Sequence, residues 1–198
     1  MLPGVWLGVA KSSSNSMPAL AKWRDEVVAP TVAKFSELER FGRYTAFNLP
    51  QTLLLADVRS RPRGVNLRAP DGVDFASLSA TACSEVRQPG LDDPTSAPLL
   101  YTVIFKVADD WQAEFDEWYD VEHIPMIFEC KDWSLTRRYR LDRESGYTHL
   151  AIHYIMNARA FDSPALKAAR LTPWRAKFLE QSWFTGSEKA IYFQQSAE

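Results

Sequence analysis

A chain of 198 residues, 46% of them hydrophobic and 13% aromatic, is long and apolar enough to fill a substantial core. Its 23 basic and 25 acidic side chains nearly cancel, which argues against a nucleic-acid backbone or an anionic membrane surface as partner. Met1-Leu2-Pro3-Gly4-Val5-Trp6 lacks the pattern of a signal peptide, and no apolar run reaches the roughly 18 residues of a membrane span, so a cytoplasmic protein is expected.

In chain order, the first predicted element is a strand over Val5-Trp6-Leu7-Gly8-Val9, rich in β-branched and aromatic residues. Ser16 and Pro18 then open a helix, and Thr52 to Val58 form a further strand. Arg59-Ser60-Arg61-Pro62-Arg63-Gly64 reads as a solvated loop, with an anion contact as the other reading. Phe75 to Cys83 reads as helical, and no closing strand is visible in this half. Gln88 to Pro98, with three prolines among turn formers, is expected to be a linker.

The second half is clearer. A strand runs to Val107, Asp109 and Gln112 have the spacing of a capping box, and Phe115, Trp118, Tyr119 and Glu122 follow at helical spacing. The helix should stop near Pro125. Leu135 to Leu141 and Thr148 to Tyr154 flank the polar stretch Asp142-Arg143-Glu144-Ser145-Gly146 as a hairpin would. Ser163-Pro164 and Thr172-Pro173 each begin a short helix, and Lys189 to Phe193 closes the order β-α-β-β-α-β as a strand.

The two halves echo each other at an offset of 95 residues: Trp23 falls on Trp118, Asp25 on Asp120 and Pro30 on Pro125. The same offset carries Arg43-Tyr44 onto Arg138-Tyr139 and Leu55-Ala56 onto Leu150-Ala151. We therefore expect two repeats, residues 1–87 and 99–198, joined by a linker over 88–98. Trp23 and Trp118, duplicated at matched positions, are expected in the core. Cys83 and Cys130 match no metal or redox spacing and read as reduced packing residues.

With Trp118-Tyr119-Asp120-Val121-Glu122-His123-Ile124-Pro125, Arg138-Tyr139 and the Ser-Pro helix in line, the chain resembles the dimeric α+β-barrel superfamily of ferredoxin-like proteins, and its second repeat resembles the EthD-like branch. The resemblance covers about residues 99–193 well and 1–87 in part. It implies an α+β fold of tandem ferredoxin-like β-α-β-β-α-β repeats packed within one chain as a barrel that two chains usually build. A chain supplying both halves has no need of a second copy, which leaves homodimerisation to an outer surface. The superfamily spans monooxygenases, cyclases, isomerases and haem enzymes, so fold alone does not fix the reaction.

The repeats differ where chemistry is concerned, because Glu122-His123 stands where the first repeat has Val27-Val28. His123 is therefore the candidate general acid or base, with Glu122 or Asp120 orienting it; the alternative is a helix-terminal histidine hydrogen-bonded to carbonyls. Tyr119 lies one turn earlier on the same side. Only one of Arg138 and Tyr139 can face a given pocket; Arg138 would suit a carboxylate or enolate, Tyr139 a carbonyl. His149 and His153 share a strand face, either opposite His123 or at a sheet contact. No phosphate loop, nucleophile elbow, dinucleotide fingerprint or metal-ligand spacing is present.

The expected activity is cofactor-independent proton transfer on a small hydrophobic, aromatic or polyketide-like molecule, covering isomerisation, cyclisation or dehydration, and cofactorless oxygenation. His123, Glu122, Arg138 and Tyr139 would act chemically; Tyr119, Asp120, His149 and His153 would bind. A non-catalytic small-molecule-binding or stress-response module needs only the pocket. A haem enzyme would take His149, His153 or His123 as axial ligand.

Overall fold

The computed structural model describes residues 3–35, 37–47, 49–62, 65–141 and 146–195. The fold is mixed α+β, the class that the strand and helix order predicts, with eight strands and seven short α-helices among the described residues. It divides into two compact units, residues 1–82 with 192–198 and residues 83–191.

The first unit opens with β1 (Gly4–Ser12), then α1 (Met17–Trp23), a π-helical turn (Arg24–Val28) and α2 (Ala29–Val32). β2 (Leu38–Ala46), β3 (Gln51–Val58) and β4 (Val73–Arg87) follow, the last belonging to this unit as far as Ala82. β3 lies between β1 and β2, antiparallel to both, and β4 flanks β1. The helical face of this unit buries Trp6, Leu20, Trp23, Val28, Val32 and Leu54 in one cluster.

β4 corrects the helix expected over Phe75 to Cys83. The alanines of that segment favour a helix by intrinsic propensity, but β1 pairs with it from Gly4↔Thr81 to Ser12↔Val73. Burial of Val73, Ala80 and Ala82 supplies the strand's apolar contacts, and this is the closing strand that the sequence does not reveal. Arg59 pairs with Glu39 at 3.2 Å on the surface, in keeping with a solvated loop; Arg63 and Gly64 of that segment lie outside the described residues.

The second unit contains β5 (Leu99–Phe105), α3 (Gln112–Trp118), a π-helical turn (Tyr119–His123) and α4 (Ile124–Ile127). Next come β6 (Trp133–Arg140), β7 (His149–Ile155), α5 (Pro164–Ala169), α6 (Pro173–Leu179), α7 (Ser182–Thr185) and β8 (Glu188–Gln194), which belongs to this unit as far as Ile191. β7 is central, antiparallel to β5 on one side and β6 on the other. The turn expected between β6 and β7 lies outside the described residues except for Gly146, whose φ of +71° is a conformation glycine adopts freely.

Helix starts follow the sequence signals in part. The Ser163 hydroxyl accepts from Leu166 N–H and that of Thr172 from Arg175 N–H, each with proline in the first turn. Asp109 and Gln112 make no backbone capping box: a 3-10 turn (Asp109–Trp111) precedes α3, and the Gln112 amide donates to Asp109 at 3.0 Å. The helix ends at Ile127, two residues past Pro125 and close to the expected stop. Ile124 N–H reaches back five residues to the Tyr119 carbonyl, and this wider turn gives the proline ring room, so the helix continues to Ile127. The same sequence of α-helix, π turn and α-helix occurs 95 residues earlier with matching boundaries.

Candidate active site

Side chains alternate across a strand, so three layers of residues share the helix-covered face of the second unit. Tyr101, His153 and Thr136 form one layer; Val103, Ala151 and Arg138 the next; Phe105, His149 and Arg140 the third. Phe115, Trp118 and Tyr119 come down onto this face with Phe178 and Phe184, burying an aromatic cluster. Beside it lies a cavity of about 290 Å³ lined by Tyr101, Trp118, Tyr119, His123, Trp133 and His153, with Arg170, Arg175 and Lys189 also on its wall. That volume suits a compact aromatic molecule better than a porphyrin macrocycle.

His123 reaches the cavity because the π turn carries Trp118, Tyr119 and His123 to one side. Its ring stacks on Trp118 at 4.7 Å and meets Tyr119 edge-on at 5.0 Å. Its buried Nδ1 has no hydrogen-bond partner among the described residues. Burial, reinforced by Arg175, Arg170 and Arg138, pushes the imidazolium far below its ordinary range, to about 3, so His123 is neutral near pH 7.

His153 is engaged on both nitrogens. Nδ1 lies 2.8 Å from Thr136 Oγ1 and Nε2 lies 3.3 Å from the Tyr119 hydroxyl. Burial lowers this imidazole too, to about 3, with His123 and Arg138 adding repulsion. Desolvation raises the Tyr119 phenol well above its usual range, keeping it protonated and able to donate. Tyr119, His123 and His153 are thus the sequence candidates that the fold brings together.

The other candidates are placed differently. Arg138 is buried on the same strand face, with its guanidinium 4.6 Å from the Tyr119 ring centre, 2.7 Å from Asp120 and paired with Asp116. It forms a charged layer behind Tyr119, and Asp120 is its counter-ion. Glu122 accepts a 2.9 Å hydrogen bond from Trp118 Nε1. Neither carboxylate orients His123. Tyr139 follows Arg138 by one residue and so occupies the opposite face of β6, away from the cavity. His149 lies outside the cavity lining, with Nε2 3.3 Å from Asp116 and Nδ1 2.9 Å from Thr148 Oγ1.

Sequence reasoning missed Tyr101, Trp133, Arg170, Arg175 and Lys189. Arg175 alone left a local trace: a cation in the first turn of α6 opposes the helix dipole, a placement that asks for another purpose. Among the described residues, no group of three or more His, Cys, Asp or Glu side chains is arranged to hold a metal ion.

No family model matches the chain, and no curated protein matches its sequence. Solved structures do match its fold. A ferredoxin-fold protein related to antibiotic biosynthesis monooxygenases from Listeria monocytogenes is 12% identical, with a TM-score of 0.60 over 99% of this chain and 96% of that one. An anthrone oxidase-like protein is 10% identical, with a TM-score of 0.66 over 99% and 92%. A heme-degrading enzyme, also from L. monocytogenes, is 10% identical, with a TM-score of 0.56 over 96% and 99%. At such identities the likeness is one of ferredoxin-type α+β fold. No helix among the described residues is long and apolar enough to cross a membrane.

Proposed function

We propose that this chain is a cofactor-independent enzyme in which His123 removes a proton from a compact aromatic or polyketide-like substrate. The observation that supports the reading is a neutral imidazole, unpartnered at Nδ1, stacked on Trp118 in the wall of an aromatic cavity. A neutral histidine accepts a proton; an engaged one such as His153 must first break a hydrogen bond. The Tyr119 hydroxyl, backed by His153 and Thr136, is the donor for an oxyanion that develops as the substrate loses its proton.

The monooxygenase-like and anthrone oxidase-like neighbours favour oxygenation over isomerisation or dehydration for the step that follows. With anthrone the chemistry balances on dioxygen alone. The methylene gives one proton to His123, the resulting carbanion passes its electrons to dioxygen, and anthraquinone and water are released. The coupled repeats, with the first as a structural partner lacking the histidine, and an EthD-like ancestry for the second remain part of this proposal; the matched boundaries at offset 95 support the former.

The test is oxygen uptake by the purified protein on a panel of aromatic C–H acids including anthrone, with deuterium exchange at the acidic position as an oxygen-independent readout. His123→Ala should lower turnover on the order of 10²–10⁴-fold, as loss of an acid/base does. Near-full turnover in His123→Ala, with loss in His149→Ala or His153→Ala instead, would overturn the assignment. A Soret band in protein purified with haem supplied would transfer the chemistry to a haem enzyme, and binding without turnover or exchange would leave a non-catalytic binding module.

A further inference from the structure

Three cations meet on one side of the His123 cavity. Arg170 is the C-cap of α5, Arg175 lies in the first turn of α6, and Lys189 is the second residue of β8, so the stretch that follows β7 supplies all three. Arg175 spends one donor on the Arg170 carbonyl at 2.9 Å, and its guanidinium lies 5.5 Å from the Phe184 ring centre. No carboxylate among the described residues pairs with Arg170, Arg175 or Lys189, although the chain carries 25 acidic residues. Several other cations of this unit, the buried arginines among them, are paired: Arg137 with Glu85, Arg138 with Asp116 and Asp120, and Lys177 with Glu114.

We propose that Arg170, Arg175 and Lys189 are an anion-binding rim, and that the substrate of the His123 cavity is a compact aromatic molecule carrying a carboxylate. The proposal rests on the reading of this cavity as the active site and adds the substrate's charge class. Like charges gathered without counter-ions repel one another, and their cost is recovered when an anion enters. Arg175 and Lys189 are both held below their usual ranges by burial and by neighbouring arginines. The aromatic rings of Tyr101, Trp118 and Trp133 then take the body of the ligand while the guanidinium fork of an arginine takes the carboxylate.

An anion here also bears on the base. Arg175 and Arg170 are, after burial, the next causes of the low affinity of His123 for a proton, and a bound carboxylate offsets their field. The substrate thereby makes His123 a stronger base at the moment it is needed.

Calorimetric titration of the full chain with 2-naphthoate and its neutral isostere 2-naphthamide tests this. The carboxylate should bind at least about tenfold more tightly, which is 1.4 kcal/mol. That preference should shrink as salt is raised, and disappear in Arg170→Gln/Arg175→Gln/Lys189→Gln. Arg170→Gln and Lys189→Gln, at the two more exposed of the three positions, serve as milder variants and should each lower the preference several-fold. Equal binding of the two probes, no binding of either at millimolar concentration, or a preference unchanged in the triple variant overturns the proposal. His123→Ala separates the two readings: a retained carboxylate preference with no turnover defect leaves the rim standing and removes His123 as base.

Discussion

Two neutral histidines buried in one unit tie folding to pH. His153 is 1% exposed, and its imidazolium falls from an ordinary 6.5 to about 3 in the folded chain. Between those values the unfolded chain binds a proton that the folded chain refuses, so stability is full above about pH 6.5 and falls as pH drops toward 3. One pKa unit is worth about 1.36 kcal/mol, so lowering pH from 7.5 to 5 removes about 2 kcal/mol through His153 alone. His123 has the same sign but keeps part of its surface accessible, so its share is smaller. Asp116 and Glu85 are also displaced, but their values are lowered from 3.8 and 4.5, so their losses belong to more acidic solutions. Urea titration at pH 7.5 and pH 5, followed by tryptophan fluorescence, measures the difference. His153→Gln keeps side-chain hydrogen-bonding groups toward Thr136 and Tyr119 without titrating, and should show a pH loss smaller by about 2 kcal/mol. Wild-type stability identical at the two pH values, or an undiminished loss in His153→Gln, would refute the reasoning.

Two further substitutions probe the frame around the site. Asp116→Asn removes the charge facing Arg138 and Arg140; it should cost about 2 kcal/mol, less than the ~3–5 of an orphaned buried charge because Asp120 still pairs with Arg138. Denaturant midpoints would show it, while carboxylate binding in the cavity should hardly change. Gly8→Ala would place a methyl 2.8 Å from the rings of both Phe75 and Trp6. With both rings packed in the first unit's core, about 1–3 kcal/mol should be lost, read as a lower melting temperature; an unchanged melting temperature would mean that the rings can move apart.

The sequence carried what is local. Tyr119 and His123 are four residues apart on one helix, so their shared side was legible, and alternation along β6 required that Arg138 and Tyr139 divide between two faces. Alternation could not say which of them faced the helices; that is set by burial of the whole sheet. Glu122 looked like a partner for His123 because it is adjacent, whereas the i,i+4 spacing delivered Trp118 to it instead. β4 was hidden because its alanines and serines carry little strand signal and its pairing partner lies about 70 residues away. The three-cation rim, assembled from two helices and a strand, has no short-range signature apart from Arg175.

The wide turn that aims His123 also occurs at Arg24–Val28, in the half without a histidine. There the position 95 residues before His123 holds Val28, fully buried beneath an otherwise similar helix containing Trp23 and Pro30. The direction in which the helix presents that residue is thus laid down by the backbone and its proline, independently of what stands there. A chain built this way can exchange the side chain at that position with the path of the main chain left as it was.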